Sequence, residues 1–180
     1  MRLVEATAEY RDAFLDMACD FVQACNVRGE RYAHALADFD GFLARLKRGR
    51  DASQLPPGRV PGVEFWLIAE AGLIIGTGRL RLSLTPQLER EAGHIGYDIR
   101  PSQRRRGHGT LLLKLLLEQA QNYGLSCVLL TCDTVNLASA RIIEKNGGVY
   151  AGQVTSEESG ELISRYWIEL VNLHQGHAGT

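Results

Sequence analysis

The chain of 180 residues is long enough for one ordinary domain, which at this size buries roughly 70% of the surface that the unfolded chain exposes. Hydrophobic residues make up 45% of the chain and charged residues 23%, proportions typical of a soluble globular protein and unlike those of a disordered or membrane protein. The formal net charge of -1 argues against bulk attraction to nucleic acid or anionic lipid, so any anion site must come from locally placed charge.

The first sixty residues are predicted to contain one strand and two helices. Residues 2–7 form a short opening strand, and residues 8–25 carry apolar side chains at helical spacing, with Thr7 as the helix cap. A second helix starts from Asp38 and ends in basic residues, which a helix C-terminus favours. Residues 51–62 hold three prolines and two glycines and are predicted to form a loop, too short to separate two domains.

From residue 63 the hydrophobic pattern changes to that of strands. The predicted elements are strands at 63–70, 73–83 and 93–100, a helix at 107–123, a strand at 126–132, a helix at 138–145, and a hairpin of strands at 149–154 and 162–170. The fold class is therefore α/β (α+β), a mixed and mostly antiparallel central sheet of about seven strands flanked by about four helices. We expect one domain over residues 1–180, with residues 172–180 frayed.

The cysteines and the N-terminus indicate the compartment. Cys19, Cys25, Cys127 and Cys132 form no C-x-x-C pair, so we expect reduced core residues rather than disulfides or metal ligands, and no metal. The N-terminus lacks a charged segment followed by an apolar run, and no stretch reaches the 18 or so apolar residues that span a membrane. The expected location is cytoplasmic.

One loop carries the signal for an anion site. Arg104, Arg105 and Arg106 are followed by Gly107 and Gly109, where a predicted strand passes into a strongly amphipathic helix. Unpaired N–H groups and the helix dipole favour phosphate at such a helix start, and glycines allow a ligand to approach the backbone. The alternative is that the glycines only permit a tight turn and that the arginines are solvated.

Two common phosphate motifs do not fit this loop. A P-loop needs Gly-Lys-Ser/Thr, whereas Gly109 is followed by Thr110. A dinucleotide fingerprint needs a third glycine where Leu112 stands, even though Asp133 lies at a suitable distance to hold a ribose. ATP and NAD are therefore disfavoured as ligands.

The same residues resemble the GNAT superfamily of N-acetyltransferases. The resemblance covers the central part of the chain, about residues 93–148, and the element order over most of the rest. It rests on three signals in order, which are Gly96-Tyr97-Asp98-Ile99-Arg100-Pro101, Arg104-x-x-Gly107-x-Gly109, and Asn136-x-x-Ser139 followed after four residues by Glu144-Lys145-Asn146-Gly147.

The resemblance implies acetyl-CoA as the co-substrate, held between the strand around Tyr97 and the strand that begins at Ser126. The pantetheine arm would pair with backbone near Ile99, loop amides would hold the pyrophosphate, and Arg104 would contact it or brace the loop. Asn136 would bond the pantetheine, or cap a helix, or both. The implied cofactor-binding residues are Ile99, Arg104, Arg105, Arg106, Gly107, His108, Gly109, Thr110, Asn136 and Ser139.

Two residues are candidates for the general base. Strict alternation places His94 and Asp98 on one face of their strand and the odd-numbered residues from Ile95 to Ile99 on the other, although a bulge would reset this. His94 is the first choice because its ordinary pKa lies near neutrality; the alternative is that it caps a strand edge. For Asp98 the alternative is an ion pair with an arginine such as Arg100.

The sequence does not identify a general acid as directly. Ile143 stands where many members of the superfamily carry a tyrosine that protonates the leaving thiolate, and isoleucine has no proton to give. Tyr97, Tyr150 or water would have to substitute, or no dedicated acid is needed. Cys132 would suit an acyl-cysteine intermediate only if something activated it, so a structural thiol is favoured.

The resemblance implies an N-acetyltransferase that moves an acetyl group directly from acetyl-CoA to a primary amine of a small molecule. The acceptor cleft would lie between the first two helices, the loop to Gly62 and the final hairpin. Glu64, Arg79 and Arg81 would line it or form surface salt bridges. The alternatives are acetylation of a peptide or protein amine, a catalytically silent acyl-CoA-binding module, and a nucleic-acid binder built on the arginines. No nucleic-acid or membrane partner is expected, and a homodimer is left open.

Overall fold

The computed structural model describes residues 1–24, 29–157 and 159–170. Two expectations, a reduced core Cys25 and frayed residues 172–180, lie outside these ranges. Among the described residues no helix is both long and apolar enough to cross a membrane.

Six α-helices and seven β-strands make up the described chain. The helices are α1 (Arg11–Gln23), α2 (Gly29–Ala37), α3 (Phe39–Arg48), α4 (Pro86–Glu91), α5 (His108–Asn122) and α6 (Leu137–Lys145). The strands are β1 (Arg2–Glu5), β2 (Gly62–Ile68), β3 (Ile74–Arg81), β4 (Ile95–Ile99), β5 (Cys127–Asp133), β6 (Val149–Thr155) and β7 (Leu162–Glu169). The predicted fold class is confirmed, whereas the helices number six among the described residues instead of about four, and the strands do not form one central sheet.

The strands form two antiparallel sheets rather than one. Their orders are β1-β2-β3-β4 and β5-β7-β6, and within the described residues no ladder pairs β4 with β5. The sheets touch where the His94 N–H donates to the Leu129 carbonyl at 2.7 Å and the Leu129 N–H donates to His94 Nδ1 at 2.9 Å. Beyond this junction no backbone hydrogen bond joins β4 to β5 among the described residues, and we call the unpaired stretch between the two strands the gap.

Each face of the first sheet is covered by helices. Val63, Phe65 and Leu67 of β2 pack with α5 in one hydrophobic cluster, whereas Trp66 and Ile68 pack with α1, α2 and α3 in the other. Period-two alternation in the strand thus supplies both cores. The face toward α1 and α2 is called the helical-pair face below.

Two helices escaped prediction. α2 buries Gly29, Tyr32 and Ala35, so two of its three buried positions are small residues and no stripe of large aliphatic side chains forms. α4 spans only 6 residues, although the Thr85 hydroxyl caps it by accepting the Leu88 N–H at 3.2 Å. Short or weakly apolar helices give little periodicity to read, because tertiary packing rather than propensity stabilises them.

Of the predicted helix starts, helix caps and buried cysteines, some are confirmed and others are wrong. A helix starts at Asp38 as expected, and the Asp38 carboxylate caps α3 by accepting the Gly41 N–H at 2.9 Å. The Thr7 cap is wrong, because a 3₁₀ turn precedes α1 and the Thr7 side chain makes no capping bond to it. Cys19, Cys127 and Cys132 are free thiols, but only Cys132 is buried, since the other two face solvent.

Candidate functional site

The gap between β4 and β5 is lined by backbone groups of β4. The Arg100 N–H donates to the Ile75 carbonyl on β3 at 2.9 Å, and backbone groups alternate in direction along a strand. The N–H and C=O groups of Tyr97 and Ile99 therefore point away from β3, into the gap. Arg104 Nε donates to the Ile99 carbonyl at 3.1 Å, which ties the following loop to this edge.

At the open end of the gap the loop turns sharply into α5. Arg105 has a φ of 62° and Gly107 a φ of 81°, both in the left-handed region, and helical conformation begins at His108. The first-turn amides of His108, Gly109 and Thr110 have no carbonyl partner within the helix, as at any helix start. No side-chain cap bond occurs at Gly107, so these amides remain available to an anion.

The two glycines of the loop serve different purposes. A Cβ on Gly107 would meet nothing within 4 Å, so its glycine is needed for the positive φ alone. A Cβ on Gly109 would lie 2.6 Å from Ile142 Cδ1. Gly109 therefore lets α5 pack closely against α6, which the expectation of ligand approach did not include.

Of the three arginines in this loop, Arg104 holds the loop in place, whereas Arg105 and Arg106 face solvent. Arg104 braces it, because besides its bond to Ile99 its guanidinium lies 5.9 Å from the Phe21 ring centroid. Arg106 donates to Gln103 Oε1 at 3.3 Å, and Arg105 is exposed. The nearby Arg100 joins the loop to α1 through ion pairs with two carboxylates of that helix.

Arg100 does not form the ion pair with Asp98 that the sequence suggested as an alternative. It lies instead 2.7 Å from Asp16 and 2.6 Å from Asp20 on α1. Asp98 points instead toward α2, on the same helical-pair face of the sheet. There its carboxylate accepts the Tyr32 hydroxyl at 3.4 Å and lies 3.5 Å from Arg31.

On the opposite face of β4, two hydroxyls meet across the gap. Tyr97 and Ser139 share a hydrogen bond of 2.9 Å, and the buried Cys132 is close enough to both to affect their electrostatics. Burial raises the pKa of Tyr97 to about 12 and raises that of the Cys132 thiol, so neither ionises readily near neutrality. Asn136 caps α6 here, its side chain accepting the Ser139 N–H at 3.1 Å.

His94 is buried at the closed end of the gap. Its Nδ1 accepts the Leu129 N–H, so in the neutral ring the proton sits on Nε2 and the single lone pair is in use. Burial, followed by repulsion from Arg81, lowers the pKa of His94. The ring acts as a clamp between β4 and β5.

A buried ion pair lies on the helical-pair face of β2. Arg31 of α2 donates to both carboxylate oxygens of Glu64, at 2.9 and 3.2 Å. The Glu64 side chain is only 3% exposed, and burial raises its pKa against the opposing attraction of Arg31. Glu64 thus forms the kind of salt bridge that the sequence suggested, with its carboxylate buried and Arg31 partly exposed, and its partner was missed because α2 was not predicted.

Arg79, Arg81 and Gly96 complete this face. Arg79 lies opposite Glu64 in the β2–β3 ladder and opposite Gly96 in the β3–β4 ladder. Both arginines are half-buried, and Gly96 is exposed in mid-strand. Together with Glu64, these residues lie on one face of β2, β3 and β4.

The final hairpin, formed by β6 and β7, is fastened to the end of α4. The Glu91 carboxylate accepts the Ser156 hydroxyl and the Glu157 N–H, each at 3.0 Å. The Glu157 N–H is the largest cause of the lowered pKa of Glu91. The contact fixes one wall beside β4, while Tyr150, proposed as a substitute acid, is exposed on β6.

Comparison with known proteins supports the arrangement of strands and loop. A sequence model described as the acetyltransferase (GNAT) domain matches residues 2–149. RimL, a ribosomal protein alpha-N-acetyltransferase solved in complex with coenzyme A, is 15% identical with a TM-score of 0.63, and the match covers 93% of each chain. A variant of the Vibrio cholerae spermidine N-acetyltransferase SpeG is 13% identical with a TM-score of 0.63, over 94% of this chain and 95% of that one.

A third structure similar to this chain is yncA from Salmonella typhimurium, solved with its cofactor acetyl-CoA. It is 16% identical with a TM-score of 0.59, over 99% of this chain and 98% of that one. At these identities, structural similarity is evidence for the fold alone. A search of curated protein sequences found no match to the chain. The match over residues 2–149 identifies the family: the chain belongs to the GNAT acetyltransferases.

Proposed function

We propose that the protein transfers an acetyl group from acetyl-CoA directly to a primary amine of a small molecule. The observation that carries this proposal is the gap between β4 and β5, with the unpaired amides of α5 at its open end. A thioester in the gap would lie between the carboxylate of Asp98 on one face and the hydroxyls of Tyr97 and Ser139 on the other.

Cofactor binding is assigned to the loop and the strand edge. The amides from Arg105 to Thr110 would hold the pyrophosphate, since a helix start and several N–H groups together favour an anion. The pantetheine would pair with the backbone groups of Tyr97 and with the N–H of Ile99, which point into the gap, while the Ile99 carbonyl accepts Arg104 Nε. RimL and yncA were solved with coenzyme A and acetyl-CoA respectively, which supports the same ligand class here.

The attacking amine must first lose a proton. An amine with a pKa near 10.4 is protonated at pH 7 by about 3.4 units, which is roughly 4.6 kcal/mol. We assign the receiving group to Asp98, acting directly or through one water, because it is buried on the acceptor side of β4. His94, the first choice from the sequence, suits the role less well, because its only lone pair is bonded to the Leu129 N–H.

The thioester carbonyl develops negative charge as the amine attacks. A backbone N–H of Tyr97 or Ile99 that points into the gap would stabilise this oxyanion. The position is rigid, because β4 is held by β3 along its length and by the His94 clamp at one end. Preorganised donors of this kind need no rearrangement during the reaction.

The leaving thiolate would be stabilised by the Tyr97–Ser139 pair. Complete proton transfer from Tyr97, with its pKa of about 12, to a thiolate of ordinary pKa near 8.5 is uphill by about 3.5 units, or roughly 4.8 kcal/mol. The hydroxyls therefore act as hydrogen-bond donors, and the proton comes finally from solvent. Ile143 is fully buried and takes no part.

Calorimetry with acetyl-CoA, combined with thiol release over a panel of amines, tests the proposal. We expect binding without acceptor and release only with an amine. Binding with no release for any small or peptide amine would instead support the acyl-CoA-binding module. Release with peptide amines alone would support a protein acceptor, as named for RimL.

A further inference from the structure

A row of three residues crosses the first sheet on the helical-pair face. Glu64 pairs with Arg79 across β2 and β3, and Arg79 pairs with Gly96 across β3 and β4. A Cβ on Gly96 would meet nothing within 4 Å, and this glycine is exposed although it lies in the middle of a strand. The space above Gly96 is therefore open; Arg79 is the neighbour of Gly96 across the ladder, and its Nε leans toward β2, 3.5 Å from where a Cβ on Gly62 would stand.

The positive charge beside this space exceeds the negative charge. Arg31 already pairs with Glu64 and lies near Asp98, so the two carboxylates of this face are engaged by it. Within the described chain no carboxylate oxygen comes within 4.0 Å of the Arg79 or Arg81 guanidinium. Arg81 makes one hydrogen bond, from Nη1 to the Gly93 carbonyl at 3.0 Å.

Because the arginines are partly buried, their excess positive charge raises the free energy of the protein when no anion is bound. Arg79 and Arg81 are half-buried, and burial lowers the pKa of both. Glu64 opposes this lowering, most of all for Arg79, whereas repulsion from Arg31 and Arg59, and for Arg81 also from Arg79, adds to it. A guanidinium offers five N–H donors, and most of these on Arg79 and Arg81 face no protein acceptor. An anion bound between them would offset both the repulsion and the unused donors.

We infer that the acceptor carries an oxyanion, a carboxylate, as well as its amine, and that Arg79 and Arg81 bind this group above Gly96. The inference rests on the proposed acetyl transfer. The ammonium end would then lie toward Asp98, which is two residues from Gly96 along β4, a separation of about 7 Å. An acceptor of the size of a short amino acid spans that distance.

Matched acceptors test the inference. Amino acids in which one to four carbons separate the amine from the carboxylate are compared with their amides and with the amines lacking the carboxylate. Aminoalkylphosphonates distinguish a carboxylate from a phosphonate. We expect kcat/KM, measured by thiol release, to favour the carboxylate over its amide by about 10- to 100-fold, the usual effect of losing hydrogen bonds to a charged group. A preference for phosphonates would overturn the carboxylate assignment.

Variants then assign the preference to a residue. Arg79→Gln should abolish the preference for the carboxylate while leaving acetyl-CoA affinity unchanged, and Arg79→Lys should restore part of it. Arg48→Gln, the same change of charge at an exposed position of α3, should leave the preference intact. Far-ultraviolet circular dichroism checks that each variant is folded.

The outcomes separate this inference from the proposed function. If the unaltered protein acetylates amides or simple amines as well as it acetylates amino acids, the anionic acceptor is wrong and acetyl transfer stands. If acetyl-CoA binds but no acceptor releases thiol, both proposals fail. If the preference survives in Arg79→Gln and in Arg81→Gln, these arginines are not its source.

Discussion

His94 and Leu129 hold the two sheets together through a pair of hydrogen bonds, 35 residues apart in sequence. One bond joins backbone to backbone, and the other ends on the imidazole Nδ1. Because no backbone hydrogen bond joins β4 to β5 beyond this point among the described residues, the pair sets where the gap begins. Its contribution to stability, and to the pH dependence of stability, can be measured directly.

We expect His94→Ala to lower the free energy of unfolding by about 1–3 kcal/mol, because the Leu129 N–H is left buried without its acceptor. The melting temperature should fall by about 2–10 °C in a protein of this size. His94→Asn should retain more stability, since its amide oxygen can accept the same N–H. His34→Ala, at an exposed histidine, is the control. Equal melting temperatures for all four proteins would contradict the clamp.

The same histidine predicts a pH dependence. Its pKa is lowered in the folded protein, so below the unfolded value of about 6.5 the unfolded chain binds the proton more readily. Its contribution to stability is therefore lost as the pH falls from about 6.5 toward the folded pKa. Thermal melts at pH 7.5 and 5.5 should show a larger drop for the unaltered protein than for His94→Asn, which cannot titrate.

Gly107→Glu should abolish measurable acetyl-CoA binding. The new carboxylate would stand at the start of α5, where like charge opposes a pyrophosphate by several kcal/mol. Gly107→Gln carries the same backbone strain at a φ of 81° without the charge, so it separates the two effects. Calorimetry should show much weaker binding for the glutamate variant than for the glutamine variant, and equal affinities would remove the phosphate site from this loop.

Tyr97→Phe and Ser139→Ala should each reduce kcat by about 10-fold, at the lower end of such effects, because each removes either the hydroxyl that donates to the leaving thiolate or the hydroxyl that orients it. The two hydroxyls share one hydrogen bond, so the double variant should lose little more than either single variant. Steady-state kinetics with acetyl-CoA and the best acceptor provide the measurement. Independent, multiplying losses would show that the hydroxyls do not act as a pair.

Asp98→Asn should lower kcat/KM by about 10²- to 10⁴-fold, the range for loss of a general base. Raising the pH should restore part of the rate, because a larger fraction of the amine is then already neutral. Comparing the rate loss of Asp98→Asn with that of His94→Asn distinguishes the two candidate bases. If the histidine variant shows the larger loss and the altered pH profile, the base is His94 after all.

The sequence predicted best what is decided by neighbouring residues. The start of α3 at Asp38 and the turn at Gly107 depend on three or four adjacent positions, and both were anticipated. The Arg31–Glu64 pair spans 33 residues and depends on a helix with little apolar periodicity, so no local pattern reveals it. The occupied Nδ1 of His94 likewise depends on a distant backbone N–H, which only the folded chain brings into place.

The gap between β4 and β5 passes through the sheet, with Asp98 facing α2 and Tyr97 facing α5 and α6. Two ligands in the proposed positions would therefore enter from opposite sides and meet end to end. Each ligand could then bind or dissociate while the other stays bound. Steady-state velocities should then follow intersecting rather than parallel lines in double-reciprocal plots, with both substrates bound at once.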